Sequence, residues 1–204
     1  MACCSYDRLH RYLDNPAYTR PTSQPSSSPL EILHRVALDR RFDGVLKHQG
    51  AENIGVILTE CEEALLEHWN AWKVDSGSAS GSTGSNAMAA REAFAESQRA
   101  AASLLVATHR TADPRYDFFL LHTLTTSHAI RVILPTLPAR AQVPLVRQWW
   151  LLALVVYIAQ LRPPIKLSRI NTYPLEGRYW GYVVDKALKS PAKYDSHYVK
   201  GRLK

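Results

Sequence analysis

The stretch that most constrains the fold is a run of ten apolar residues, WWLLALVVYI, from Trp149 to Ile158. A membrane-spanning helix needs about 20 such residues, so the run is too short to cross a bilayer. A helix that is apolar on every side has to be buried in a protein core. The sequence therefore predicts a core helix over 142–161, which stops before Pro163 and Pro164 because consecutive prolines remove amide donors.

The rest of the chain shows helical periodicity, and no segment shows the sustained alternation typical of strands. Ser28, Pro29 and Glu31 have the chemistry of a helix start, an N-cap followed by proline and a carboxylate in the first turn. These patterns predict an all-α, multi-helix globular fold. Its other helices are expected after residue 28 and over 51–72, 87–109, 116–134, 177–189 and 191–203.

The chain of 204 residues, 46% of them hydrophobic, is long enough for one folded domain. Residues 1–27 end in a cluster rich in proline and serine, which predicts a disordered leader or linker. The helical region is expected to span 28–204. Within it, the run VDSGSASGSTGSN at 74–86 predicts a flexible Gly/Ser insert.

The formal charge of +7 raises nucleic acid as a partner, but the basic residues are weakly clustered. Much of the excess lies near the C-terminus, which is typical of a basic tail, so no nucleic acid partner is predicted. Cys3, Cys4 and Cys61 lack the spacing of a zinc site or a disulfide framework. A reducing compartment, the cytoplasm, is expected.

One histidine, His122, lies in the strongly apolar segment YDFFLLHTLT at 116–125. Burial disfavours the charged imidazolium, so the ring is expected to be neutral, as a metal ligand or general base requires. The simpler interpretation is a histidine that bonds a nearby backbone carbonyl. Both remain open from the residues alone.

Other polar residues of this helix are weaker candidates. His128 is six residues on, about 120° around a helix, and cannot easily share a metal with His122. Thr125 could orient either ring. Arg131 could bind an anionic or carbonyl group of a ligand, although a salt bridge to another helix explains it as well.

Near the C-terminus, His197 and Lys200 are three residues apart and so share one helical face. A buried lysine has a lowered pKa, and Lys200 could then act as a base or form a carbamate ligand. A solvated basic tail is the alternative. Sequence motifs of dinucleotide-binding folds, kinases, zinc proteases and α/β-hydrolases are absent.

Three stretches together resemble the questin oxidase-like family of fungal secondary metabolism. They are SPLEILHRVALDRRFDGVL at 28–46, ATHRTADPRYDFFLLHTLTTSHAIRVILP at 107–135 and DSHYVKG at 195–201. The central pattern DFF-x-x-H-x-x-T, from Asp117 through His122 to Thr125, is the most specific part. The resemblance implies that the chain corresponds to the C-terminal half of a family member.

This resemblance implies a helical oxidoreductase, of monooxygenase or dioxygenase type, that oxidises or opens the ring of an aromatic polyketide such as an anthraquinone. It implies non-heme iron held by His122, His197 and Lys200, with His128 less certain, and NADPH as a cosubstrate. His122 and Lys200 are the expected catalytic residues, and Phe118, Thr125 and Arg131 the expected substrate-binding residues.

Departures from the family pattern leave a rival open. Gln160-Leu161-Arg162-Pro163 stands where Arg-Gly-Arg-Pro is more usual, and the histidines of an N-terminal half are absent. The rival is a truncated, non-catalytic helical remnant or interaction module. Its expected partner is a missing N-terminal half or a second copy of the chain.

Overall fold

The computed structural model describes residues 11–13, 15–74, 83–109 and 116–189. All regular structure in these ranges is helical, apart from one isolated bridge between Ser26 and Trp72. The predicted all-α fold is therefore confirmed. The helices are named here in chain order: α1 (Pro29–Leu38), α2 (Asn53–Glu60), α3 (Glu62–Ala71), α4 (Thr83–Val106), α5 (Phe118–Ile133), α6 (Ala139–Ala159), α7 (Ser168–Asn171) and α8 (Trp180–Lys189).

The apolar run of the sequence lies in α6, which is the central helix of the fold. It packs against α2, α3, α4 and α5. Trp150, Leu154 and Tyr157 are fully buried, so the predicted core helix is confirmed. By length and apolar composition α6 could cross a membrane, but most of its apolar window is buried inside the protein, as in a core helix.

The segment 51–72 is two helices rather than the single predicted one. The chain leaves helical geometry at Cys61, where φ is −118° and ψ is 16°. Cys61 is buried, and both α2 and α3 pack against α6. The break lets the two short helices each lie along the central helix, a requirement that periodicity within the segment does not encode.

Two residues of the predicted leader, Tyr12 and Ser26, are buried against the helical region. Tyr12 is fully buried, and its hydroxyl bonds Glu62 Oε1 at 2.5 Å. The amide of Ser26 donates to the carbonyl of Ala71 at 2.7 Å, and the amide of Lys73 donates to the carbonyl of Ser26 at 2.9 Å. These bonds satisfy the backbone groups of Ser26, whereas most residues of 15–25 are exposed. The disordered leader over 1–27 stays a prediction.

The Gly/Ser insert is only partly within the described structure. Helix α4 begins at Thr83, so residues 83–86 of the predicted insert are helical. Residues 75–82 lie outside the described ranges, as does the helix predicted over 191–203. Of the C-terminal helices, α8 covers most of the predicted 177–189 segment and buries Ala187.

The chain turns sharply after α6 through two residues with positive φ, Leu161 (61°) and Arg162 (50°). Arg162 fixes this turn by bonding the carbonyl of Asp39 at 2.8 Å and Asp43 Oδ1 at 2.7 Å. A left-handed conformation is costly for a residue with a Cβ and nearly free for glycine. Glycine is also the residue that the family pattern places at position 161.

We expect Leu161→Gly to raise the free energy of unfolding by about 0.5–1 kcal/mol. The relief of left-handed strain, roughly 1–2 kcal/mol, exceeds the entropy that glycine loses on folding, roughly 0.5–1 kcal/mol. Urea unfolding followed by circular dichroism measures the change. Leu38→Gly, at the exposed end of α1, is the control and should be destabilising. Loss of stability in both variants would contradict the strain argument.

Candidate functional site

The residues of the central motif lie on α5, and His122 is on its outward side. The buried face of this helix is formed by Leu120, Thr123, Ser127 and Ile130. At about 100° per residue, His122 is rotated well away from that face. It shares the outward side with Phe118, Val132 and Ile133, which are 59%, 61% and 44% exposed.

The apolar segment around His122 predicted a buried imidazole, and this prediction is wrong in part. His122 is half-buried, and neither Phe118 nor Phe119 encloses it, since both are exposed. The segment is apolar on nearly every side, so its composition could not show which stripe faces α4 and α6. Packing against α4 and α6 determined that the stripe with Leu120 and Ile130 faces inward.

The imidazole of His122 is nevertheless held in a defined orientation. Its Nδ1 lies 2.6 Å from the carbonyl oxygen of Phe118, one turn earlier. A carbonyl only accepts hydrogen bonds, so Nδ1 carries a proton, and in a neutral ring the lone pair is then on Nε2. The Phe118 ring packs edge-on against the imidazole, with centroids 4.4 Å apart. This tautomer is the one that a base or ligand acting through Nε2 requires.

The other candidates on α5 do not gather around His122. Thr125 and Thr126 donate their hydroxyls to the backbone carbonyl of His122, at 3.3 and 2.6 Å, rather than to its ring. Arg131 is nine residues from His122, about half a turn around the helix, and His128 is about 120° away. The structure thus separates Arg131 from His122, while a role for any of these residues in substrate binding stays a prediction.

The implied iron site is not formed by the described residues alone. Within 11–13, 15–74, 83–109 and 116–189 there is no group of three or more His, Cys, Asp or Glu side chains that could hold a metal. His197 and Lys200, which were predicted to converge on His122, lie outside the described ranges. The shared site of these three residues stays a prediction.

Asp117, the first residue of the motif, has a structural role. Its carboxylate caps α5, accepting the amides of Phe119 and Leu120 at 2.8 and 2.9 Å. An acidic N-cap satisfies amides that have no partner within the helix and favours the positive end of the helix dipole. The aspartate at the start of the DFF pattern, Asp117, is therefore explained by its role in initiating α5.

We expect Asp117→Ala to lower the free energy of unfolding by about 0.5–2 kcal/mol, the usual cost of a lost N-cap. Asp117→Asn should retain most of the stability because asparagine caps helices nearly as well. Urea unfolding of both variants tests this. If Asp117→Ala had wild-type stability, the capping role would be refuted.

A cleft of about 870 Å³ opens on another side of α5. Three parts of the chain border it: His109 just after α4, Tyr116 and Leu120 at the start of α5, and Gln160 just after α6. Leu120 and His122 are two residues apart, so their side chains leave the helix in directions about 160° apart. The cleft and the His122 face are separate places on the molecule.

A largely buried hydrogen-bonded pair that the sequence did not single out joins His68 of α3 to Asp39 after α1. His68 Nε2 lies 2.8 Å from Asp39 Oδ2, and Arg41 also bonds Asp39. Burial lowers the pKa of His68. Burial alone would raise the pKa of Asp39, but bonds from Arg41 and His68 outweigh it and hold that pKa below its usual range. The one indication of its burial in the sequence was that His68 lies on the apolar stripe of its helix.

Comparison with known proteins identifies the chain's relatives. A family model described as Questin oxidase-like matches residues 1–201, so the match begins 27 residues before the stretches quoted above. No curated protein matches the chain. The family's name is that of an oxidase, which places the chain among oxidoreductases. Since nearly the whole sequence is matched, the chain belongs to the questin oxidase-like family.

Proposed function

We propose that the protein is an oxygen-using oxidoreductase of fungal secondary metabolism that oxidises, or oxidatively opens, the ring of an anthraquinone-like aromatic polyketide. The observation that carries the proposal is the family match over residues 1–201. Supporting it, His122 has the orientation of a base acting through Nε2, and it lies beside exposed aromatic side chains on which a flat substrate could stack.

In this proposal His122 removes a proton from a phenolic hydroxyl of the substrate. The ring of a phenolate is richer in electrons than the ring of a phenol, so deprotonation favours attack of the ring on O₂. General bases typically contribute 10²–10⁴-fold to a rate. Phe118, which packs against the imidazole, would contact the substrate ring, and Thr125 and Arg131 remain proposed binding residues.

The cosubstrates of the reaction follow from electron balance. A monooxygenase places one atom of O₂ in the product and reduces the other to water, which consumes two electrons, and NADPH is the proposed donor. A dioxygenase places both atoms in the product and needs no NADPH. Iron held by His122, His197 and Lys200 is part of the proposal, but the described residues supply no full ligand set, so no step is derived through it.

The test is turnover of a hydroxyanthraquinone by the purified chain under ¹⁸O₂, with and without NADPH. One labelled oxygen in the product together with NADPH consumption identifies a monooxygenase, and two labelled oxygens without NADPH consumption identify a dioxygenase. Heat-denatured protein is the control. Absence of O₂ consumption with a panel of hydroxylated anthraquinones would contradict the proposal.

A second candidate function, a non-catalytic interaction module, is favoured by the apolar surface of α8. Trp180, Val184 and Leu188 recur every four residues on one side of this helix and are 62%, 41% and 67% exposed. Exposed apolar patches of this kind mark sites of protein association. Self-association, or binding of a separate polypeptide that supplies the other half of the enzyme, is the proposed partner interaction. Size-exclusion chromatography of Trp180→Ala would detect the loss of a self-association.

A further inference from the structure

We propose that α8 docks the protein on an anionic membrane surface, where the helix lies among the lipid headgroups without crossing the bilayer. The partner is a bilayer that contains acidic phospholipids such as phosphatidylserine. The proposal does not depend on the oxidoreductase activity. It rests on three properties of α8 and the chain around it: an exposed apolar stripe, neighbouring aromatic side chains, and a concentration of positive charge.

The apolar stripe of α8 is largely unburied. Trp180, Val184 and Leu188 follow one another at steps of about 40° around the helix, and Val183 and Ala187 continue the stripe on one side. Ala187 is the only buried residue of α8, and the helix makes only minor contacts with the other described helices. A surface helix normally buries its apolar stripe against the core. The stripe of α8 is therefore available to an external apolar phase.

The opposite face of α8 is basic. Lys186 and Lys189 lie about 160° and 140° around the helix from Val184. Lys189 Nζ pairs with Asp185 at 2.6 Å, whereas Lys186 lies near the ring of Tyr182, 5.7 Å from its centroid. A helix with tryptophan and leucine on one face and lysine on the other is typical of helices that lie in a membrane interface. Its apolar face contacts the acyl chains, and its cations contact the headgroups.

Exposed aromatic side chains accompany the stripe. Trp180 and Tyr182 on α8 are exposed, as are Tyr173 and Tyr179 before it. Tyrosine and tryptophan combine an apolar ring with a polar atom, and they concentrate at the boundary between lipid and water. The grouping of these four rings between positions 173 and 182 therefore favours a membrane interface.

Positive charge is concentrated in the same part of the sequence. Residues 165–204 carry nine Lys and Arg against three Asp and Glu, an excess of six, whereas the whole chain has an excess of seven. The first 164 residues are thus nearly neutral. An anionic lipid surface strengthens binding by roughly 5-fold for each Lys or Arg near it. The charge therefore attracts the C-terminal segment, rather than the rest of the chain, to such a surface.

A second protein is a poorer match for α8 than a bilayer is. A stable protein interface buries roughly 800 Å² on each partner. Helix α8 has ten residues, so its apolar stripe is about 15 Å long and about 10 Å wide. This area is well below that of a stable interface, whereas a bilayer surface needs no matched shape. Self-association through α8 is the alternative that the experiment distinguishes.

Co-sedimentation of the full chain with lipid vesicles tests the proposal. We expect saturable binding to vesicles of phosphatidylcholine mixed with phosphatidylserine, and binding at least about 10-fold weaker to pure phosphatidylcholine. Raising the salt concentration should weaken binding to the acidic vesicles, because salt screens exposed charges. Leu188→Ala should weaken this binding by about 5-fold through lost apolar burial. Lys186→Gln should also weaken it by about 5-fold, through the loss of one cation.

Two matched variants serve as controls. Leu38→Ala on α1 removes the same side chain as Leu188→Ala at nearly the same exposure, 69% against 67%. Lys47→Gln removes an exposed lysine before α2 and matches Lys186→Gln. Both controls should bind the acidic vesicles like the wild type. All four substituted side chains are exposed, so the variants should keep the fold.

The proposal is overturned if the two kinds of vesicle bind equally, or if Leu188→Ala or Lys186→Gln binds no more weakly than its control. It is also wrong if the chain ignores vesicles and elutes as a dimer that Leu188→Ala dissociates, since a second copy would then cover α8. Vesicle binding by a chain without oxidase turnover would leave the docking surface standing while the proposed function failed.

Discussion

Replacing Trp150 with alanine is expected to lower the free energy of unfolding by about 3–5 kcal/mol, the usual cost of truncating a buried aromatic side chain. Trp150 is fully buried on the central helix α6, and its ring centroid lies 5.5 Å from that of Trp72. The large cavity left behind cannot close, because α6 is held by helices on several sides.

The cost is expected to come from packing rather than from hydrogen bonding. The indole Nε1 of Trp150 has no hydrogen-bond partner in the described structure. Trp150→Phe, which keeps a ring and removes this N–H, should therefore cost clearly less than Trp150→Ala. Urea unfolding followed by circular dichroism measures both variants.

Trp180→Ala is the matched control because the same side chain is 62% exposed on α8. Exposed substitutions of this kind usually change stability by less than about 0.5 kcal/mol. A loss below about 1 kcal/mol for Trp150→Ala, or equal losses for the two tryptophans, would show that α6 is not the centre of the core.

The second large effect is expected at His122. If the proposed oxidoreductase activity holds and His122 is its base, His122→Ala should lower kcat/KM by about 10²–10⁴-fold. The side chain is half-buried on the outward side of α5, so the same change should cost much less stability than Trp150→Ala. A large loss of activity in a folded protein would separate a chemical role from a structural one.

The pH profile distinguishes a base from a residue that only positions others. A base must be neutral to accept a proton, so wild-type activity should fall towards acidic pH. In His122→Ala that acid limb should disappear. His34→Ala is the control, because His34 is an exposed histidine on α1, and unchanged turnover in His122→Ala would exclude the proposed role.

Much of the fold could be predicted from the sequence because it depends on local properties. Apolar periodicity and the proline pair placed the core helix α6, and Ser28 and Pro29 placed the start of α1. The family could also be recognised, since the motif around His122 is a pattern of residue types and needs no coordinates. These features are determined by nearest neighbours along the chain.

Tertiary structure decided the rest. The segment of His122 is apolar around most of its circumference, so only packing against α4 and α6 determined that Leu120 faces inward and His122 outward. Tertiary contacts also determined the burial of Tyr12. This residue lies in a polar segment, but it packs in the core and donates its hydroxyl to Glu62. The cleft at Gln160 joins residues from three distant parts of the chain. Contacts between distant segments depend on how helices pack, and no pattern within a single segment specifies them.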